Sequence, residues 1–333
     1  MTGVAVDADL SSLNFGTQPP SPLHPARQLA ASLGVTELWV KRDDLIGFAG
    51  GGTKCRKLAG LIERLRATGA DTFLFSGGAM SNQVRIIAAL AAVSGYACEV
   101  FIDAAEDAPA AHFARFFGAR IHALANATHW SLNAAIRGRI RELAAAGKRA
   151  VVIPAASPED LAAYAQAIGE LAAQGLPASP RRTLIVTAAG SGATSAGFLL
   201  GLDRHFQNAR LLAVSADRQS SELRTIVTRL LASATGADPE GDEIVRLLAR
   251  LDVDDSAIGG GYGTRTVEAD EAIALAARTE GLLMEPVYTG KALAALCAMS
   301  RDGRIDRNDR IVFWHTGGVP YLASALAQPL PSD

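Results

Sequence analysis

The chain has 333 residues, of which 49% are hydrophobic and 20% charged, and a formal net charge of -2. That length exceeds one small core and predicts two domains or one large α/β unit, while the near-balanced charge gives no electrostatic footprint for nucleic acid. No apolar run reaches bilayer-spanning length and residues 1–7 lack a basic region followed by an apolar core, so no membrane role is expected and the cytoplasm is the expected compartment. Cys55, Cys98 and Cys297 are odd in number and far apart, which argues against a disulfide framework or a Cys-based zinc site. Cys55 reads as a packing residue.

Residues 1–36 carry much of the proline, including Pro19, Pro20, Pro22 and Pro25, and read as an extended lead-in. Residues 38–41 predict a strand, and residues 42–46 lead from it into Gly50-Gly51-Gly52-Thr53-Lys54-Cys55-Arg56-Lys57-Leu58. Leu58, Leu61, Ile62 and Leu65 recur at helical spacing, which predicts a helix from near Lys54 to residue 67. Lys54 would then stand at the helix N-terminus, where the dipole disfavours a second positive charge and partial burial lowers the amine pKa further. A neutral lysine can form an imine, and the preceding glycines permit close backbone approach to a bound group. The competing reading is a solvated lysine beside a glycine turn.

Helix and strand patterns then alternate. A strand at 72–75 runs into Ser76-Gly77-Gly78-Ala79-Met80-Ser81-Asn82-Gln83 and a helix at 81–94. The turn lies at the carboxyl end of a strand, where open α/β sheets bind ligands. Ser81 or Asn82 either caps the helix or joins its first amides in receiving a carboxylate or another anion. Strands at 98–102, 121–124 and 150–153, with helices near 109–117 and from about 131, continue the alternation expected of βαβ units and a parallel sheet covered on both faces.

The second half repeats the scheme. A strand at 183–186 precedes Gly190-Ser191-Gly192-Ala193-Thr194-Ser195 and a helix. The successive amides, with the hydroxyls of Ser191 and Thr194, suit a phosphate that carries no metal. Ser195 breaks the dinucleotide fingerprint at its third glycine, and Thr53 precedes the lysine where a Walker A loop would have it follow. A strand at 211–215, several helices and a strand at 310–314 complete the chain, with the acidic stretch at 238–243 read as a helix N-terminus. Gly259-Gly260-Gly261-Tyr262-Gly263 and Met284-Glu285-Pro286-Val287-Tyr288-Thr289-Gly290-Lys291 place two of only five tyrosines in backbone-permissive turns, as candidates for acid/base work or substrate contact. His315, before Thr316-Gly317-Gly318, reads as structural.

Together, Lys54, the two glycine turns and the two tyrosines resemble the 1-aminocyclopropane-1-carboxylate deaminase and D-cysteine desulfhydrase family, pyridoxal-phosphate enzymes of the tryptophan-synthase β fold. The resemblance runs from about Lys41 to His315 and rests on Gly-Gly-x-Lys-x-Arg-Lys-Leu, Ser-Asn, Glu-Pro-Val-Tyr-Thr-Gly-Lys and His-Thr-Gly-Gly in that order. It implies an α/β fold of two open twisted, mainly parallel sheets flanked by helices (PLP fold type II), with residues 1–50 and 165–333 as a large cofactor-binding domain and 51–164 as a small one. It implies pyridoxal 5'-phosphate on Lys54 with its phosphate on Gly190, Ser191, Gly192, Ala193 and Thr194. Ser81, Asn82 and Gln83 would meet the substrate carboxylate or the cofactor ring, Tyr262 and Tyr288 would line the reacting centre, and Thr289 would face the pyridine nitrogen. The implied enzyme is a homodimeric lyase or deaminase for a small amino acid, with elimination from D-cysteine or a related β-substituted amino acid ahead of deamination of the cyclopropane acid, β-replacement or racemisation. A non-catalytic phosphometabolite-binding protein on the same scaffold is the reading from another class. Thr53, Gln83 and Ala193 depart from the family's usual Asn, His and Gly, and Gln83 cannot shuttle a proton near neutral pH as a histidine can.

Overall fold

The computed structural model describes residues 19–124, 126–127, 129–176 and 181–327. Half of the proline-rich lead-in, residues 1–18, and the tail from residue 328 lie outside that set. Among the described residues there are ten strands: β1 (Leu23–Pro25), β2 (Glu37–Arg42), β3 (Thr72–Gly78), β4 (Ala97–Asp103), β5 (Arg120–Ala123), β6 (Ala150–Val152), β7 (Thr183–Ala189), β8 (Ala209–Ser215), β9 (Leu251–Asp254) and β10 (Arg310–His315). The chain divides into two compact units, one of Lys57–Ala155 and one of Pro19–Arg56 with residues 156–327.

The smaller unit holds a four-stranded parallel sheet in the order β5-β4-β3-β6. Its central strands are buried on both faces, so Phe73-Leu74-Phe75 and Val100-Phe101-Ile102 read as unbroken apolar runs rather than alternating ones. The helix Leu58–Thr68 buries Leu58, Leu61, Ile62 and Leu65, the stripe its spacing predicts, and stops at Gly69 in the left-handed conformation. The helix start differs from expectation. Residues Thr53–Lys57 form a 3-10 turn and the α-helix begins at Leu58, so Lys54 sits on the tighter turn before the helix. The glycine loop is hydrogen-bonded to Asp43 and Thr316, and these tethers fix the turn's geometry against simple helical continuation.

The larger unit holds a six-stranded sheet in the order β1-β2-β10-β7-β8-β9, parallel except for β1 at one edge. Successive residues of its central strands feed opposite faces. Leu184, Val186, Leu212, Val214, Ile311 and Phe313 enter one core, and Ile185, Leu211, Ala213, Val312 and Trp314 enter the other. Helices Ala193–His205 and Leu161–Ala173 pack unusually close, because a Cβ on Gly197 would lie 2.4 Å from Tyr164 Cβ and one on Gly201 2.6 Å from Ile168 Cβ. The acidic stretch resolves as expected, with Asp242 and Glu243 in the first turn of the helix Asp242–Leu248. The helix Arg27–Ser32 and strands β1 and β9 have no counterpart in the sequence reading: the lead-in hides a short strand beside proline, and Leu-Asp-Val-Asp is half polar.

Candidate active site

Gly50, Gly51 and Gly52 have φ of 80°, 72° and 122°. A Cβ on Gly51 would lie 2.0 Å from the Asp44 carbonyl oxygen and one on Gly52 2.9 Å from that of Thr316, so the loop can fold back on these segments only without side chains. Gly317 completes the contact, since its own Cβ would lie 2.6 Å from Gly52 Cα. The loop delivers Lys54 half-buried. Its Nζ donates to Thr194 Oγ1 at 3.2 Å and stands 5.6 Å from the centre of the Tyr164 ring. Lys54 and the second glycine turn, 140 residues apart, are therefore brought together.

That turn follows β7. Gly192, at φ 81°, precedes the helix Ala193–His205, whose N-terminus has no side-chain cap. Its first amides and the hydroxyls of Ser191 and Thr194 are a donor set without a carboxylate, suited to an anion. Thr53 Oγ1 and Ser195 Oγ, chain neighbours of Lys54 and Thr194, are buried with no partner among the described residues. Tyr164 is fully buried against Thr194, and burial raises its phenol pKa, so it stays protonated. Sequence reading missed Tyr164 because it lies in an apolar helical run. The Gly197 and Gly201 pair, four residues apart on the facing helix, is the signal that could have marked a close helix partner there.

Two residues past Lys54, Arg56 is anchored in a buried ionic cluster. It donates from Nε and Nη2 to the two oxygens of Asp43 at 2.8 and 2.6 Å, and from Nη1 to Glu170 Oε2 at 2.9 Å. Asp43 is fully buried and also accepts from Ser21 Oγ at 2.7 Å and Trp314 Nε1 at 2.8 Å. Glu170 accepts in addition from the buried Lys41 ammonium. Burial alone would raise both carboxyls, and the Arg56 guanidinium instead holds them below the usual carboxylate range.

The two tyrosines meet. Tyr262 and Tyr288 hydroxyls are 2.9 Å apart, and a Cβ on Gly190 would lie 3.3 Å from the Tyr288 ring. Burial and the Tyr262 neighbour raise the Tyr288 pKa well above its ordinary value, so Tyr288 holds its proton at neutral pH. Glu285, fully buried, accepts from the amides of Val287, Tyr288 and Thr289 at 2.8 to 2.9 Å, and burial raises its pKa against these bonds. Gly318 leaves room for it, because a Cβ there would lie 2.2 Å from Glu285 Cγ. The Thr289 hydroxyl is turned to the same residue: it accepts from Glu285 N at 3.0 Å and has Glu285 Oε1 and O at 3.2 and 3.3 Å for its proton. His315 is buried and neutral, its pKa lowered by burial, with Leu283 O and Gly317 N as ring partners, and is structural.

Ser81, Asn82 and Gln83 belong to the smaller unit. Ser81 is the N-cap of the helix Asn82–Val93 and accepts from Val84 N at 3.3 Å. Its turn is tight, since a Cβ on Gly77 would lie 2.9 Å from Ser81 Oγ. Asn82 Oδ1 accepts from the buried Arg85 at 3.0 Å. Gln83 is buried with both ends of its amide engaged, by Lys57 Nζ at 3.3 Å and Pro154 O at 3.0 Å. The missing family histidine is thus replaced by a residue that ties Lys57 to the end of β6.

The pattern of pyridoxal-phosphate dependent enzymes matches residues 15–317. The chain belongs to that family. It is 31% identical to a 1-aminocyclopropane-1-carboxylate deaminase of Burkholderia vietnamiensis, over 94% of this chain and 95% of that one, and 34% identical to a D-cysteine desulfhydrase of Yersinia pestis, over 91% and 92%. Among solved structures, an ACC deaminase homologue superposes with a TM-score of 0.80 at 28% identity, covering 93% of this chain and 94% of that one. O-ureido-L-serine synthase, at 0.69 and 16% identity over 96% of each chain, shares the fold. Two mainly parallel sheets flanked by helices are the type II arrangement of this family, and its cofactor is pyridoxal phosphate. The residues present fit that group: an amine on a glycine loop contacts an uncapped helix N-terminus, and buried hydroxyls without partners flank the contact on both sides.

Proposed function

We propose that the protein removes the β-substituent of a small amino acid, D-cysteine or a related β-substituted amino acid, releasing that group with its proton and consuming one water to give a keto acid and ammonia. Full-length similarity to a D-cysteine desulfhydrase supports the reading. In it, Lys54 would hold pyridoxal phosphate, and its free amine would take the substrate α-proton on Nζ. Gly190, Ser191, Gly192, Ala193 and Thr194 hold the phosphate, and Asn82 and Thr289 meet the ring. Ser81 and Asn82 receive the substrate carboxylate, while Gln83 keeps its amide on Lys57 and Pro154. The hydrogen-bonded pair Tyr262 and Tyr288 faces the reacting centre, where the Tyr288 phenol can give a proton to the departing group. When bound, pyridoxal phosphate supplies an electron sink for the substrate α-carbon.

The observation that carries the choice of substrate is Thr289. Its hydroxyl has one proton and Glu285 oxygens at 3.2 and 3.3 Å to hold it, so toward a ring nitrogen it brings no formal charge. A carboxylate there would favour a protonated nitrogen and a stronger sink. Loss of a good β-leaving group asks less of the sink than opening a strained carbocycle. A second reading, deamination of 1-aminocyclopropane-1-carboxylate, is favoured by the buried acid Glu285 one hydrogen bond behind Thr289 and by similarity to the deaminases. Assaying both substrates decides: we expect keto acid from D-cysteine and little from the cyclopropane acid, with Thr289→Glu shifting the ratio toward the latter. Comparable wild-type rates on the two would overturn the reading. In the same proposal the enzyme is a cytoplasmic homodimer, a mass that sedimentation measures.

A further inference from the structure

Lys291 takes no part in the reaction proposed above, yet it is fully buried in the first turn of the helix Thr289–Arg301, where a cation opposes the helix dipole. Its ammonium donates to Ile258 O at 2.7 Å and to Gly261 O and Ala216 O, each at 3.3 Å. An ammonium has three donors, and all three go to backbone carbonyls. Ala216 is fixed to the sheet, its amide donating to Ala189 O at the end of β7. The other two acceptors lie in the connection between β9 and the helix Val267–Glu280. The start of that connection is held by Ser256 on Asp254 and by the Ser220 amide on Asp255 Oδ2, but beyond that the connection has little of its own to define it. Gly259, Gly261 and Gly263 stand at φ of 66°, 124° and 77°, and its own turn bonds, Ile258 N to Asp255 O and Thr264 N to Gly261 O, are 3.3 and 3.2 Å long. It carries Tyr262, adjacent to the Gly261 carbonyl that Lys291 holds.

We propose that Lys291 is a positioning residue, fastening the glycine loop at 255–264 to the end of the sheet so that the Tyr262 hydroxyl stays on that of Tyr288. The chemistry of the acceptors gives the direction of the effect. The half-buried carbonyls of Ile258 and Gly261 that lose their donor regain a partner by turning to water, so without the ammonium the favoured state of the loop is a more open one. Burial lowers the Lys291 pKa, and the neighbouring Glu285 and Asp217 carboxyls oppose that shift. The importance of Tyr262 to turnover rests on the proposed function. The fastening of the loop does not, and it is measured without turnover.

The test is amide hydrogen exchange by mass spectrometry on the cofactor-loaded protein, comparing wild type with Lys291→Met and Lys291→Gln. Lys291→Met should speed exchange in peptides spanning 255–264 by about tenfold while leaving those of β7, β8 and β10 unchanged. Lys291→Gln, which keeps two donors, should fall between. No acceleration in the loop would overturn the proposal. So would acceleration spread evenly over the sheet, or failure of both variants to fold, because either assigns Lys291 to global stability. If wild type turns over D-cysteine, Lys291→Met should lower kcat/KM to about the level of Tyr262→Phe, and the double variant should lose no more than either single one. Additive losses would separate Lys291 from Tyr262. Absence of turnover with the exchange pattern intact would refute only the substrate assignment.

Discussion

Replacing Arg56 with Met probes the cluster that anchors the Lys54 turn. Asp43 is fully buried and makes four hydrogen bonds, two to Arg56 and one each to Ser21 and Trp314. Removing one partner of a buried ion pair costs about 3–5 kcal/mol, because the remaining charge stays buried. Since half of the Asp43 bonds survive and Glu170 keeps Lys41, the lower end applies, about 3 kcal/mol, or a fall in melting temperature of roughly 4–7 °C for a chain of this size. The pH dependence separates this cause from lost packing. In the wild type the Asp43 and Glu170 pKa values lie below their unfolded ones, so the pair stabilises the fold above the unfolded carboxylate pKa, near 4, and that stability is lost only as pH falls through the depressed folded values. In Arg56→Met the burial that opposes ionisation is no longer offset, the Asp43 pKa rises, and the variant takes up a proton at higher pH. The stability gap between wild type and variant should therefore be largest near pH 7.5 and narrow toward pH 5. Denaturant unfolding at both pH values measures it, with Asp43→Asn/Arg56→Met expected to recover part of the loss at pH 7.5. A gap below 1 kcal/mol, or one that does not change with pH, would refute the argument.

Borohydride reduction of the loaded protein should fix the cofactor to Lys54, read by peptide mapping, and Lys54→Ala should abolish turnover; label on Lys57 or Lys291 would contradict the assignment. Ser81→Ala should cost about 1 kcal/mol of stability through the cap it makes to Val84 N. It should also lower kcat/KM at least tenfold, about 1.4 kcal/mol of barrier, if Ser81 meets substrate as well; a melting shift with unchanged kinetics would leave it a cap alone.

The fold was largely legible because two periodicities do not overlap. The central strands, buried on both faces, are unbroken apolar runs, and the helices between them carry a stripe at three and four residues. Strand ends were less legible: β7 continues through Ala188 and Ala189, and β3 through Gly77 and Gly78, where small residues give no β signal but the ladder still runs. At the candidate site, Lys54, Tyr262 and the 190–194 turn were singled out because each lies among glycines, and Tyr288 because it stands in a turn bounded by Pro286 and Gly290. What remained hidden is what distant chain segments decide. Arg56 meets Glu170 across 114 residues, and Tyr164 reaches Lys54 only because Gly197 lets two helices close. Gln83 looked like an altered proton carrier, and only its tertiary neighbours show that its amide is occupied at both ends. Thr289 was singled out for a ring nitrogen, but the acid four residues before it, which claims its hydroxyl, was passed over because Glu-Pro reads as a turn.

The buried polar groups of the larger unit fall into two kinds, and the difference bears on where a ligand binds. Asp43, Glu285 and Lys291 are as deeply buried as any core residue, and each has several hydrogen bonds within its own unit, as a charge taken from water requires. Thr53 and Ser195 are buried without partners among the described residues, and the helix N-terminus beside Ser195 has no side-chain cap. An unpartnered atom does not by itself mark a site, since Ser94 Oγ and Asp270 Oδ2 also lack partners. What distinguishes Thr53 and Ser195 is their position, each next in the chain to one member of the Lys54 to Thr194 hydrogen bond. Unmet donors on both sides of one amine are costly to a protein that binds nothing there, and an anionic group that reaches them offsets that cost. The same reasoning makes cofactor binding a source of stability: saturation at about a hundred times Kd should add roughly 2.7 kcal/mol.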